Sequence, residues 1–482
     1  MTEIQKINKI IPIDIILFIV LTTLSIGFTS WYIFQEKYYY FWDYSRHYEQ
    51  LNTLISTSQN SPIEGIFSIL VSLFDDYTQL PLLLMLPTRL LLGDSRVSFI
   101  ISIVIAYGIP FSLLMGVIAS NLVKVKQRLV FWIAATLALL MPAAWVSMLR
   151  GFPDLGGTTL IWLALLLYWQ DVSLKQRSHR RQIAIVLALS VLFRRHFVYS
   201  VRSFLITVFI FGFLYIILQQ PLQNFWNEIK ISLTRLSHIV IIFSIFIFVI
   251  FLKAILINYR TLYASYEVST IENVDYYFKS FGYLFWLFAT LGFVFGNKSL
   301  SLDRTRINFI GLWGCLSILQ WVFFAKQISV QYATHFVSFI VIGLSLFLWC
   351  IITTLQRPAI STLFTVIFAS AILGNMGIAL SHLGNIDRHL GVFFARREPP
   401  LQRSDYSAIA SLVNVLRQWS LPNRQIYVAA ASYTLNNSVL TVAEQQLLEQ
   451  KKLQILKPAN IDSRDFYPLN GLLKSHFIVV AT

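Results

Sequence analysis

Long apolar runs separated by short polar turns set the pattern of this chain, and most are long enough to cross a lipid bilayer as helices. In order they are Ile10–Phe34, Ser98–Val123, Leu129–Met148, Leu155–Trp169, Gln182–Phe193, Ser203–Leu218, His238–Ile257, Ser280–Gly296, Ile307–Phe324, Phe336–Leu355 and Ala359–Leu380. The pattern predicts about 11 crossings. Ile10–Phe34 exceeds a signal peptide's apolar region and lacks a small-x-small cleavage pattern, so it reads as a retained first helix. Leu80–Leu92 is short and holds Pro81 and Pro87, which suggests a re-entrant, surface or irregular segment. Between the first run and Leu80 lies a polar, aromatic-rich stretch expected to carry one or two surface helices, broken near Pro62 and Gly65.

From Ser381 the pattern changes. Ile409, Leu412, Val413 and Leu416 recur at helical spacing, Gln425–Ala431 reads as a strand, Val439–Gln450 as a helix and His476–Ala481 as a second strand. Residues 1–380 thus form a transmembrane core with a long first loop at 35–79, and 381–482 a small α/β domain of roughly 100 residues.

Composition agrees with this division. Of 482 residues 56% are hydrophobic and only 13% charged, which excludes a soluble globular protein. The formal charge of +15 would suggest nucleic acid in a soluble chain; here much of it lies in short loops and sets orientation instead. Lys124–Arg128 and the run Lys175, Arg177, His179, Arg180 and Arg181 mark the cytoplasmic side. The N-terminus is then cytoplasmic, and Asp43, Asp154, Arg194, Arg195 and the C-terminal domain share the outer side. Cys315 and Cys350 lie in apolar runs and offer no disulfide framework. No HExxH, GxxxxGK or ordered Cys/His spacing is present, so no cofactor is required; a divalent ion held by acids including Asp43 has no ligand spacing to argue for it.

The candidate chemistry gathers at outer loops. Tyr38–Gln50, YYYFWDYSRHYEQ, places Trp42, Asp43, Arg46 and His47 beside an interfacial aromatic belt, with Asp43 as a candidate general base. The turn RGFPDLGG joins Arg150 to a second carboxylate, Asp154, ahead of glycines that permit close backbone approach. Arg194, Arg195 and Arg202 are candidate phosphate ligands, since guanidinium forks match phosphate oxygens. Asp75 and Asp76 follow an amphipathic stretch. Lys326, Gln327, Gln331 and His335 are expected at the outer end of a helix, the last three at i, i+4 and i+8 on one face.

With its early acidic residue in FWDYSRHYEQ, the following DDYTQLPLLLMLPTRLLLGDS, the RGFPDLGG turn and an outer C-terminal domain, the chain resembles the GT-C class of integral membrane glycosyltransferases, within it the bacterial dolichyl-mannosyltransferase and aminoarabinose-transferase type. The resemblance implies a polytopic α-helical GT-C-like fold in a bacterial cytoplasmic membrane and inverting sugar transfer on the extracytoplasmic face. It implies a polyprenyl-phosphate sugar donor and an envelope glycan, lipid or protein acceptor. The family's first-loop base carries over to Asp43, and its donor-phosphate cations to Arg194 and Arg195, with Lys326 and Arg150 as weaker matches. Trp42, Arg46, His47, Asp75, Asp76, Gln331 and His335 are substrate-cavity candidates. Two departures stand out: the family's Asp-Glu pair reads Asp43-Tyr44, and its His-Pro-Pro run reads Gln79-Leu80-Pro81. A flippase or transporter of lipid-linked sugars is the alternative from another class, and a non-catalytic scaffold for envelope assembly a third.

Overall fold

The structure is a computed structural model that describes residues 11–75, 77–219, 224–248, 250, 252–253, 267–355, 357–382, 392–419, 424–430, 432, 434–448, 452–456 and 469–480. Helices dominate it: α1 Pro12–Phe34, α2 Asp43–Asn60, α3 Pro62–Ser72, α4 Leu86–Leu92, α5 Arg96–Ser120, α6 Gln127–Leu140, α7 Pro142–Leu149, α8 Leu155–Gln170 and α9 Arg177–Phe193. Then follow α10 Val198–Gln219, α11 Phe225–Phe246, α12 Thr270–Phe281, α13 Tyr283–Lys298, α14 Arg304–Gln320, α15 Thr334–Thr354 and α16 Pro358–Leu380.

Among the described residues seven helices are long and apolar enough to span a bilayer, or nine if the bent pairs α6–α7 (51°) and α12–α13 (83°) each count as one span. This is fewer than the expected eleven. The shortfall lies at α8 and α9, of 16 and 17 residues, both short for a span, and α9 also opens on Arg177, Arg180 and Arg181. The span expected at His238–Ile257 begins earlier, at Phe225; residues 254–266 lie outside those described. The outer loop expected at Asn258–Lys279 instead contains α12, started by a capping box of Ser269 and Glu272.

Pro62 opens α3 with Ser61 as its N-cap, so the first-loop break falls there and Gly65 sits inside the helix. The proline-bearing segment after it folds as a 3-10 turn, Leu80–Met85, running into α4. Pro142 bends α6 into α7 because it cannot continue the hydrogen-bond ladder. The core of the bundle is α15, buried along almost its whole length and packed on α13. There the two backbones meet: a Cβ on Gly292 would stand 1.8 Å from the Gly343 carbonyl oxygen.

The C-terminal residues form α17 Tyr406–Trp419, β1 Gln425–Ala429, α18 Asn437–Leu448, β2 Gln454–Ile455, α19 Leu469–Lys474 and β3 Phe477–Val480. The sheet is parallel in the order β2-β1-β3, with Ile426 opposite Phe477 and Val428 opposite Val479. Central β1 buries Ile426, Tyr427 and Val428 in succession, as a strand covered on both faces does. The sequence pattern does not reveal β2, which is only two residues long. Tyr39 and Phe41 belong to this second core, beside Ile409, Val413, Val428 and Leu440.

Candidate functional site

The site is built where three loops meet. The first is the entry to α2. Trp42 adopts φ 49 and ψ −126, a left-handed backbone that a bulky residue adopts only under constraint, and Asp43 follows as the first residue of the helix, where the macrodipole favours an acid. Asp43 is part-exposed and accepts the Tyr77 hydroxyl at 2.5 Å. The second loop carries Tyr77 and is pinned on both sides: its carbonyl accepts Gln50 Nε2 at 2.8 Å, and Thr78 donates to the Leu192 carbonyl at 2.9 Å. That bond sets the end of α9, and thus Arg194, beside Tyr77. The third loop is the RGFPDLGG turn. Cβ atoms on Gly156 and Gly157 would stand 2.5 Å from the rings of Tyr107 and Phe193, and 2.1 Å from Phe197. The missing side chains let the start of α8 close on the turn that holds Arg194, Arg195 and His196.

Arg194 is the hub. Its guanidinium lies 4.6 Å over the Tyr77 ring, Nη1 is 3.0 Å from His47 Nε2 and Nε is 3.7 Å from Asp154 Oδ1. Arginine only donates, so His47 Nε2 accepts and the neutral ring carries its proton on Nδ1. That buried Nδ1 has no hydrogen-bond partner, and neither has Asp154 Oδ2. Burial, reinforced by Arg194, holds His47 down to about 3. Burial opposes the charge on Asp154, but Arg194 and the His196 hydrogen bond outweigh it and hold the carboxyl below its ordinary value. Burial likewise opposes the charge on Arg194, and Asp154 outweighs it, so the guanidinium stays protonated.

Beyond Asp154, His196 Nε2 lies 2.7 Å from Oδ1, His196 Nδ1 lies 2.8 Å from His335 Nε2, and His335 Nδ1 lies 2.6 Å from Ser200 Oγ. The structure thus joins Asp43, His47, Arg194, Asp154 and His335 from distant parts of the chain. Tyr77, His196 and Ser200 complete the cluster, and no pattern in the sequence marks them as site residues.

Other sequence candidates lie apart or at the edge. Arg46 is exposed, 6.0 Å over Tyr77; Arg195 is half-buried on the turn before His196; Asp75 is exposed; Asp76 lies outside the described residues. Arg150 is buried between two carboxylates, 3.1 Å from Glu36 and 3.4 Å from Glu398, and does not join the Arg194 cluster. Lys326 ends its helix in a left-handed conformation, half-buried. That reversal breaks the expected stripe: Gln327 lies outside any helix, Gln331 in a 3-10 turn where it accepts the Ser329 hydroxyl, and only His335 on α15. Arg96, a cation that stands in no motif of the sequence, stacks 4.0 Å over Tyr40 and donates to the Tyr44 carbonyl at 2.7 Å.

A cavity of about 380 Å³ opens along α10 and α11, lined by Val198, Leu205, Phe209, Leu236 and Phe243, with Arg202 on its wall. Arg202 is exposed yet tied to Gln320 Oε1 at 2.6 Å. Among the described residues no three of His, Cys, Asp and Glu are grouped to hold a metal ion.

No family model and no curated protein matches the sequence. Solved structures match the fold, two of ArnT among them. The crystal structure of ArnT from Cupriavidus metallidurans in the apo state has a TM-score of 0.50 at 10% identity, covering 96% of this chain and 88% of that one. The same protein bound to undecaprenyl phosphate has a TM-score of 0.52 at 12% identity, covering 97% and 89%. At that identity the likeness concerns the course of the backbone, and over nearly all its length this chain has the fold of ArnT, a polytopic GT-C-like membrane scaffold with a small C-terminal sheet domain.

Proposed function

We propose that the chain is an inverting glycosyltransferase that moves a sugar from a polyprenyl-phosphate donor to an envelope glycan, lipid or protein on the extracytoplasmic face of a bacterial cytoplasmic membrane. The observation that carries the reading is the buried Arg194, fixed by Tyr77, His47 and Asp154 at the inner end of the Asp43 loop. A preorganised guanidinium in a site of low dielectric suits an anion that gains charge as it leaves. The ArnT structure with bound undecaprenyl phosphate supports a lipid phosphate as that anion, and the apolar cavity along α10 and α11 supports room for its tail.

In this reading the acceptor hydroxyl attacks the anomeric carbon and Asp43 takes its proton. The bond from that carbon to the phosphate oxygen breaks, and the lipid phosphate leaves with the electron pair, its charge met by Arg194, with Arg195 nearby. Direct displacement inverts the anomeric centre, and a phosphate departs without a strong acid. Asp154 is the second carboxylate of the site. Arg150 and Lys326 are the more distant cations, and no step needs a metal. The orientation follows the basic loops: with α8 and α9 counted as short crossings, about 11 spans leave the N-terminus in the cytoplasm and the C-terminal domain outside.

The test is transfer by the purified protein in nanodiscs, using radiolabelled polyprenyl-phosphate sugars with envelope extracts as acceptors. Asp43→Asn is expected to lower transfer by about 10²–10⁴-fold in a folded protein. Full turnover in that variant removes Asp43 as the base; donor binding with neither transfer nor hydrolysis, but movement across the bilayer, replaces the enzyme with a transporter.

A further inference from the structure

The steps above leave His196, His335 and Ser200 without a task, yet with Asp154 they form an unbroken hydrogen-bonded chain at 2.6–2.8 Å. Its members are buried or nearly so, and it crosses from the α8 loop through the start of α10 to α15. The rings of Trp321 and Phe197, at 4.6 and 4.7 Å from His335, close it off.

Hydrogen-bond logic fixes its protons. Asp154 already faces one cation, Arg194, and a single buried carboxylate does not balance two, so His196 is neutral. An ionised Asp154 only accepts, which puts the His196 proton on Nε2 and leaves Nδ1 to accept from His335 Nε2–H. His335 Nδ1 then accepts from the Ser200 hydroxyl. Every donor points toward Asp154. A proton arriving at Asp154 therefore finds no lone pair to follow down the chain, and the chain is no exit for the proton released by the acceptor.

We infer that His196, His335 and Ser200 are positioning residues: they hold Asp154 in one orientation as the counter-charge of Arg194, and so keep Arg194 aimed at the phosphate of the lipid donor. The inference rests on the transferase reading of the site. It also divides the labour between the two carboxylates. Asp154, committed to Arg194 and His196 through Oδ1, orients the cation; Asp43, bound to a neutral phenol, remains to take the proton. Losing His335 would free His196 to turn its lone pair toward Asp154, and the counter-charge would no longer be fixed.

The experiment compares wild type, His335→Leu and His335→Gln in nanodiscs. It reads the ¹⁵N imidazole signals of histidine-labelled protein, binding of undecaprenyl phosphate, and the donor KM and kcat. The expected result is Nε2–H for both His196 and His335 in wild type, a mixed tautomer at His196 in His335→Leu, and a donor KM raised about ten-fold there with a smaller change in kcat. Glutamine, whose amide can donate to His196 and accept from Ser200, should restore most of the KM. Equal damage by leucine and glutamine, or an unchanged KM, would reduce the chain to packing and overturn the inference. So would an Nδ1–H tautomer at His196, whatever the activity. Wild-type protein that neither binds undecaprenyl phosphate nor transfers sugar, with the tautomers as stated, would instead overturn the transferase reading, and the positioning role with it.

Discussion

Arg194 is charged and 7% exposed, which a protein tolerates only where partners replace the lost water. Those partners differ in kind: a carboxylate, an imidazole nitrogen and a ring face. A planar guanidinium can meet all three, and a lysine ammonium cannot. Arg194→Lys should keep enough charge beside Asp154 to fold, within about 2 kcal/mol of wild type, yet lose transfer by roughly a hundred-fold. Arg194→Ala should cost about 3–5 kcal/mol by stranding the buried carboxylate. Thermal unfolding in detergent beside the transfer assay separates the two; full activity in the lysine variant would mean that charge alone is used. At this scale the sequence was readable where a charged type stands after an apolar run, as at Asp43, Asp154 and Arg194. It was not readable at Tyr77 or Ser200, whose types are common in any membrane protein and gain meaning only from a partner 34 or 135 positions away. Arg150 shows the converse: its type suggests phosphate, while the carboxylates that face it, Glu36 and Glu398, lie 114 and 248 positions away.

Elements were legible where hydrophobic length speaks for itself, as in α1, α14, α15 and α16, and poorly legible where backbone geometry intervenes. The stripe Gln327, Gln331 and His335 has helical spacing, but Lys326 reverses the backbone to φ 47 and ends the helix first. Ser269 and Glu272 start α12 inside what reads as a polar loop. The glycines divide in the same way, since spacing does not tell which of them touch. A methyl on Gly292 would meet the Gly343 carbonyl oxygen, backbone that cannot yield unless α13 and α15 separate. Gly374, on α16, has nothing within 4 Å. Gly292→Ala should therefore destabilise by about 1–3 kcal/mol or more, whereas Gly374→Ala should be neutral or gain up to about 1 kcal/mol from helix propensity. A lower unfolding temperature in both would show that composition, not contact, sets the response. Because α15 carries His335 and α13 supports α15, the first variant should also weaken the site.

At the scale of the whole molecule, the C-terminal domain and the helical core meet at the segment between α1 and α2. Tyr39 is fully buried in the domain's own core, stacked on Tyr406 at 4.3 Å, and donates its hydroxyl to the Tyr406 carbonyl at 3.0 Å. Lys37 pairs with Gln402 in a parallel bridge, and Glu36 accepts the Leu401 backbone N–H at 3.0 Å while it neutralises Arg150. The segment between α1 and α2 is thus held by the C-terminal domain only a few residues before Asp43, and the strained Trp42 lies between the two. Strain of this kind persists when both ends are fixed. Tyr39→Ala should remove about 3–5 kcal/mol of packing from the second core and release the entry to α2 with it. Hydrogen exchange would then rise together in Gln425–Ala429 and Asp43–Asn60, and transfer would fall although no group of the site is altered. Faster exchange confined to Gln425–Ala429, with transfer unchanged, would mean that the domain and the Asp43 loop are independent. A joint response would mean that the packing of the C-terminal domain sets the backbone that carries Asp43.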